Sequence, residues 1–230
     1  MYRTQVGKPI GFFYGYKTAG IFQNEEEIAT YKGAKLDGAK PGDVIWVDTN
    51  HDGKITVDDR TMIGDPHPDC TIGFSLNASW RGFDLAATFA GQTGNQIMKS
   101  YRSFVDYPNN NYTTDILKRW HGDGTSTRWP RLTSTTSNNW QWVSDLYMED
   151  GDYLRCQNIT LGYDFKRLLK NLPVQQLRLY FAANNLFTIT GYSGMDPEVG
   201  YGGSASWASG IDLGFYPSPR TYMVGLNVKF

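Results

Sequence analysis

The last ten residues alternate without a break. Tyr222, Val224, Leu226, Val228 and Phe230 share one parity, and Thr221, Met223, Gly225, Asn227 and Lys229 share the other. Successive strand side chains lie on opposite faces, so residues 219–230 are predicted as a strand with one wholly apolar face and an aromatic end. The same pattern sets Ile72, Phe74, Leu76, Ala78 and Trp80 against Thr71, Gly73, Ser75, Asn77 and Ser79. Beyond Arg81-Gly82 it restarts, with Phe83, Leu85, Ala87 and Phe89 against Asp84, Ala86, Thr88 and Ala90. It recurs in Ile159, Leu161, Tyr163 and Phe165, and again in Leu177, Leu179, Phe181 and Ala183. These patterns predict strands at 70–80, 83–91, 153–165, 176–187 and 219–230. A sixth is expected at 10–16, where Phe12-Phe13-Tyr14 interrupts the alternation.

A soluble sandwich and a membrane barrel both contain strands of this kind. The lengths of the intervening segments favour the barrel. Residues 17–69, 92–152 and 188–218 form long connections, whereas 81–82 and 166–175 are short. Outer-membrane barrels have short periplasmic turns and longer extracellular loops. That parity puts the carboxyl terminus on the periplasmic side. The expected fold is therefore all-β, an antiparallel transmembrane β-barrel segment with three long extracellular loops. Single-chain barrels begin at about eight strands, and Met1-Tyr2-Arg3 does not open a leader sequence. The chain is accordingly read as the carboxyl-terminal portion of a larger barrel.

Composition narrows the partners. The formal net charge is −1, which argues against a nucleic-acid-binding surface. No apolar run approaches the 18 or so residues of a transmembrane helix, and a barrel needs none. Aromatic residues make up 15% of the chain, a content that suits membrane interfaces and carbohydrate platforms alike. A bond between Cys70 and Cys156 does not follow from sequence.

The long segments carry local signals. Asn24 followed by Glu25, Glu26 and Glu27 predicts a capped helix to about Lys32. Thr114 is expected to cap a second helix over 115–120. The 48–59 segment has the spacing of a calcium loop. Asp48, Asn50 and Asp52 stand at positions 1, 3 and 5, Gly53 at 6, Lys54 with its carbonyl at 7, and Asp59 at 12. Residues 17–69 hold 11 acidic and 6 basic residues, which favours a cation. The expected cofactor is a structural Ca2+. The competing reading is a loop of Asx turns that needs no metal.

Trp120, Trp129, Trp140, Trp142 and Trp207 fall in the long segments. They are candidates for contact with a ligand or partner, and equally for packing inside the loops. No Ser-His-Asp, Cys-His or paired-carboxylate arrangement stands out, so an enzyme is not expected.

Several runs resemble the carboxyl-terminal part of SusC/RagA-family TonB-dependent outer-membrane transporters of Bacteroidetes. They include Gly11-Phe12-Phe13-Tyr14-Gly15-Tyr16, Pro41-Gly42-Asp43, Ile63-Gly64-Asp65-Pro66 and Trp129-Pro130-Arg131-Leu132. Further along are Tyr153-Leu154-Arg155, Asn158-Ile159-Thr160-Leu161-Gly162-Tyr163, Ala183-Asn184-Asn185-Leu186-Phe187, Gly194-Met195-Asp196-Pro197-Glu198 and Tyr216-Pro217-Ser218-Pro219-Arg220-Thr221-Tyr222. The resemblance implies a plugged barrel of about 22 strands that imports glycans, oligosaccharides or peptides. It also implies a SusD-like surface lipoprotein as partner and TonB as energy source, through elements this sequence does not contain. On this reading Ile72, Phe74, Leu76, Phe83, Leu85, Phe89, Leu177, Leu179, Phe181, Tyr222, Val224, Leu226 and Val228 face outer-membrane lipid. Phe230 would be the signal read by the assembly machinery. The alternative is a soluble, calcium-stabilised β-domain that binds carbohydrate.

Overall fold

The structure is a computed structural model that describes residues 1–100, 112, 114–133, 139, 142–199 and 209–230. The chain divides into two compact units. One comprises Met1–His67, Gln96–Glu149 and Val199–Gly214, and the other Pro68–Asn95, Asp150–Glu198 and Phe215–Phe230.

The first unit contains β1 (Tyr2–Arg3), β2 (Phe12–Gly15), β3 (Thr18–Ile21), the helix α1 (Glu25–Thr30), β4 (Val44–Trp46) and β5 (Thr61–Gly64). The strands pair as β1-β2-β5 and β3-β4. Helix α1 begins where the sequence predicts, because the Asn24 side chain accepts from the Glu27 amide at 2.9 Å. Glu27 in turn accepts from the Gln23 amide at 2.6 Å. The helix at 115–120 is instead a 3-10 helix over Thr114–Lys118, with Thr114 inside it. The core gathers Phe13, Tyr16, Val44, Trp46, Ile63, Leu146, Tyr147 and Met148.

The second unit holds β6 (Cys70–Trp80), β7 (Phe83–Thr93), β10 (Tyr153–Asp164), β11 (Gln176–Thr190) and β13 (Thr221–Lys229). Three short strands of the first unit, β8 (Gln96–Lys99), β9 (Met148–Asp150, whose last residue falls in the second) and β12 (Ile211–Asp212), form a small sheet of their own, ordered β12-β8-β9. The five long strands form one antiparallel sheet in the order β13-β11-β10-β7-β6. The candidate strand at 10–16 is not among them. It appears as β2, paired between β1 and β5. Both Phe12 and Phe13 are buried there, and a strand covered on both faces has no reason to alternate. This chain therefore contributes five wall strands rather than six.

Register shows what the sheet does with its alternating side chains. Leu76 pairs with Ala87, which pairs with Ile159, which pairs with Ala183, which pairs with Tyr222. One row further on, Leu85, Leu161, Phe181 and Val224 are opposite one another. Partners in an antiparallel ladder share a face, so the apolar residues of all five strands meet on one side. A register shift between Cys156 and Asn158 interrupts the ladders on both sides of β10. It keeps Leu154 and Cys156 in line with Ile159 and Leu161, as an extra bulge residue does.

The apolar face has no second layer over it among the described residues. Phe74, Leu76, Leu161, Leu179, Phe181, Val224 and Leu226 are exposed. A contiguous exposed apolar surface of this kind marks contact with a partner or a membrane. Phe74 stacks on Phe89 at 4.7 Å and Phe181 on Tyr222 at 6.1 Å, along the face rather than beneath another sheet. The pairs Trp80–Phe83, Asp164–Arg178 and Gln176–Lys229 lie at the short-turn end of the sheet. The long segments leave and re-enter at the opposite end, where Cys70 pairs with Thr93 and Tyr153 with Thr190.

Candidate functional site

The opposite face of the sheet is polar and carries its own construction. Arg178 on β11 reaches over β10 to Asp84 on β7, with Nε to Oδ1 at 2.8 Å and Nη2 to Oδ2 at 2.5 Å. The residue under the bridge is Gly162. A Cβ there would lie 2.5 Å from Nε of Arg178 and 2.6 Å from Oδ1 of Asp84. Tyr180 similarly lies over Gly225 of β13, and the Arg178 guanidinium sits 4.9 Å from the Tyr180 ring centroid. Bulky side chains thus lie flat over glycines, and a bidentate ion pair ties three strands together.

At the long-segment end of the same face, Arg155 is buried and fully engaged. Its Nη2 donates to Asp196 Oδ1 in a short hydrogen bond. Nη1 donates to Glu198 at 2.6 Å and Nε to the Thr188 hydroxyl at 3.1 Å. Its guanidinium lies 5.6 Å from the Tyr153 ring centroid. Asp196 also accepts from the amides of Glu198 and Ser218, each at 3.0 Å. One carboxylate therefore fastens both ends of the connection that runs between them. Burial pushes the Asp196 carboxyl up, but the two amides and Arg155 outweigh it, and the group titrates below its ordinary value. A cleft of about 490 Å3 adjoins, lined among others by Arg155, Thr188, Asp196, Tyr216 and Arg220. In the sequence Arg155, Asp196 and Glu198 stand out only as members of the runs that carry the family resemblance. Asp196 and Glu198 lie within the long 188–218 connection, and nothing in the spacing joins positions 155 and 196.

The 48–59 loop is held by its own acceptors. Asp48 accepts from the amides of Asp52 (3.3 Å) and Gly53 (2.8 Å), Asn50 from that of Asp52 (3.0 Å), and Asp52 from that of Lys54 (2.8 Å). Asp59 is buried and accepts from the amides of Thr49 (2.9 Å) and Thr56 (2.6 Å). Its burial is outweighed by these amides, so its carboxyl also titrates below the ordinary value. Among the described residues, no group of three or more His, Cys, Asp or Glu side chains converges as a metal cage.

The tryptophans divide. Trp142 stacks on Tyr16 at 4.3 Å and lies 5.1 Å from Trp46, inside the core of the first unit. Trp120 packs against that core and donates to Gln23 Oε1 at 3.2 Å. Trp129 is half-buried under the guanidinium of Arg128, 5.0 Å from the ring centroid. Trp140 and Trp207 lie outside the described residues.

TonB-dependent receptor P3 of Formosa agariphila is 34% identical over 232 residues, which span 97% of this chain and 22% of the receptor. TonB-dependent receptor SusC of Bacteroides thetaiotaomicron is 29% identical over 196 residues, 84% of this chain and 18% of its own length. The RagAB peptide transporter superposes with a TM-score of 0.72 at 25% identity, over 99% of this chain and 23% of that one. Over almost its whole length the chain is similar to one portion of SusC- and RagA-type TonB-dependent receptors. No family model matches it. It spans less than a quarter of the length of the two curated receptors named above.

TonB-dependent receptors are outer-membrane proteins, and the five-stranded sheet is a piece of such a receptor's barrel wall. Apolar and polar residues alternate along its strands, the pattern that separates lipid-facing from lumen-facing positions in such barrels. The named relatives are receptors and importers rather than enzymes.

Proposed function

We propose that this chain supplies wall strands to a TonB-dependent importer of an oligomeric nutrient, a glycan or a peptide, with its carboxyl terminus in the periplasm. The observation that carries this reading is the register-matched apolar face, which has no covering layer among the described residues, in a chain that aligns almost end to end with TonB-dependent receptors. The likeness to the RagAB peptide transporter favours an oligomeric solute. The likeness to SusC and RagAB favours a SusD-like lipoprotein resting on the long segments. TonB would act through parts of the receptor upstream of this sequence. Half-buried Trp129 is the described tryptophan best placed to meet such a partner.

Copurification of the receptor with its neighbouring lipoprotein, and uptake of defined glycans and peptides by a deletion strain, test this reading. Normal growth of the deletion strain on every glycan and peptide, with loss of a chelated metal or vitamin, would reject the solute assignment. A calcium ion at the 48–59 loop is part of the same proposal. Its support is the donor spacing and an acidic segment around it. Ca2+ bound there would supply structural cross-linking, with Asp48, Asn50, Asp52, the Lys54 carbonyl and Asp59 as the holding groups.

A further inference from the structure

The short-turn end of the wall carries charges that the transport reading does not use. Arg81 and Gly82 form the β6–β7 turn, with φ of 47° and 96°. Two positive φ values are what a two-residue hairpin turn of this hand requires, and Asn or Gly meets that demand far more easily than Arg. The Arg81 guanidinium lies 5.0 Å from the ring centroid of Trp80, itself 67% exposed. The next turn packs alongside. Asp164 donates its amide to the Gly82 carbonyl at 2.9 Å, and a Cβ on Gly82 would lie 2.9 Å from Cδ of Arg167. Arg81, Arg167 and Lys170 thus occupy two adjoining turns, and none has an acidic partner among the described residues. The nearby carboxylates are committed: Asp84 to Arg178, and Asp164 to the amides of Lys166 and Leu177.

The apolar part lies on the same rim. Phe83, Tyr163 and Phe165 form an aromatic row with centroids 4.4 and 5.0 Å apart. Leu168 and Leu169 are exposed and, with Lys170, Asn171 and Leu172, line a recess of about 460 Å3. Among the described residues the hydrogen-bond partners of the Lys166 ammonium are carbonyls. It donates to those of Lys170 and Leu172 at 2.8 and 2.6 Å, two of the residues that line the recess.

We propose that this rim is a binding site for one anionic phospholipid. Arg81, Arg167 and Lys170 would hold the headgroup phosphate, and the leucine-lined recess the upper acyl chain. The proposal rests on the membrane-barrel reading. Charge complementarity decides the occupant, since three unpaired cations beside exposed leucines and a tryptophan match an anion with a tail.

The test uses the full receptor that contains this chain, recovered from the outer membrane and examined by native mass spectrometry. Phosphatidylglycerol and phosphatidylcholine are supplied in equal amounts. Wild type should retain phosphatidylglycerol over phosphatidylcholine by about fivefold or more, the worth of one cation at an anionic membrane surface. Arg81→Asn, Arg167→Gln and Lys170→Gln together should bring the ratio near one; asparagine suits the left-handed turn, so folding is preserved. Lys8→Gln, Lys32→Gln and Lys40→Gln together should leave it unchanged. Equal retention of both lipids by wild type overturns the proposal, as does an unchanged ratio in the rim variant. Displacement of bound phosphatidylglycerol by millimolar glycerol phosphate would make the occupant a free anion, and also overturns it. A receptor found only in the soluble fraction defeats the barrel reading itself, which separates the two failures.

Discussion

Arg178 and Asp84 are joined over the backbone of Gly162, so an ion pair bridges two strands that are not neighbours in the sheet. The glycine is what lets the guanidinium lie flat. Gly162→Ala should force the pair apart and lower the stability of the assembled receptor by about 1–3 kcal/mol, as overpacking does. Double-mutant analysis of Asp84→Ala and Arg178→Ala, by urea titration in lipid, should show a coupling of about 0.5–3 kcal/mol. Additive losses would mean that the pair carries no energy of its own.

Face assignment gives a second expectation. Arg at Leu85, Leu179 or Leu226 should cost about 2–4 kcal/mol near the membrane midplane, and much less at Ser75 or Asn227. Equal losses at both sets in a membrane-refolding titration would reject the assignment of faces.

At the other end of the wall, Asp196→Ala should strand the buried Arg155 beside only half-exposed Glu198. Breaking a buried pair from one side costs about 3–5 kcal/mol, and the surviving Glu198 contact sets the loss toward the lower end. Amide exchange at Glu198 and Ser218 should rise, because both lose their acceptor. Unchanged exchange at these two amides would remove Asp196 from the role of fastening.

Acid should act through the same carboxylate. The folded Asp196 titrates below its ordinary value of 3.8, so the stability it contributes is fully present above 3.8 and is lost as pH falls through the lower folded value. Asp59 follows the same sign. The opening contribution to exchange at Ser218, and at Thr49 and Thr56, once the base-catalysed intrinsic rate is divided out, should therefore be flat near neutrality and climb only below that ordinary value. A rise already complete at pH 5 would contradict both assignments.

The calcium proposal predicts that chelation exposes the 48–59 loop to protease while the wall strands stay protected. Asp48→Ala with Asp52→Ala should mimic chelation. If calorimetry and anomalous scattering detect no ion at millimolar calcium, the amide-to-carboxylate bonds alone hold the loop.

Loss of Phe230 from the full receptor should reduce its amount in the outer membrane, as expected of a terminal aromatic read during assembly. Normal insertion of the truncated receptor would sink this assignment.

By itself the sequence determined the wall: where its five strands run, which parity gathers on the apolar face, and at which end the long connections leave. Strand side chains alternate strictly, so composition at every second position is already a statement about which face meets lipid. The Asn24 cap was legible for a similar reason, since donor and acceptor are three residues apart. What the tertiary structure decided involves partners far apart in the chain. It moved residues 12–15 out of the wall, because burial of Phe12 and Phe13 on both faces depends on β1, β5 and the aromatic core. It joined Arg155 to Asp196 and Arg178 to Asp84, pairs separated by 41 and 94 positions. It also put Gly82 against Arg167 through the register of β7 with β10. Local periodicity reports the environment each strand meets on its two faces. Which charges meet across those faces depends on register, and register is set by the whole sheet.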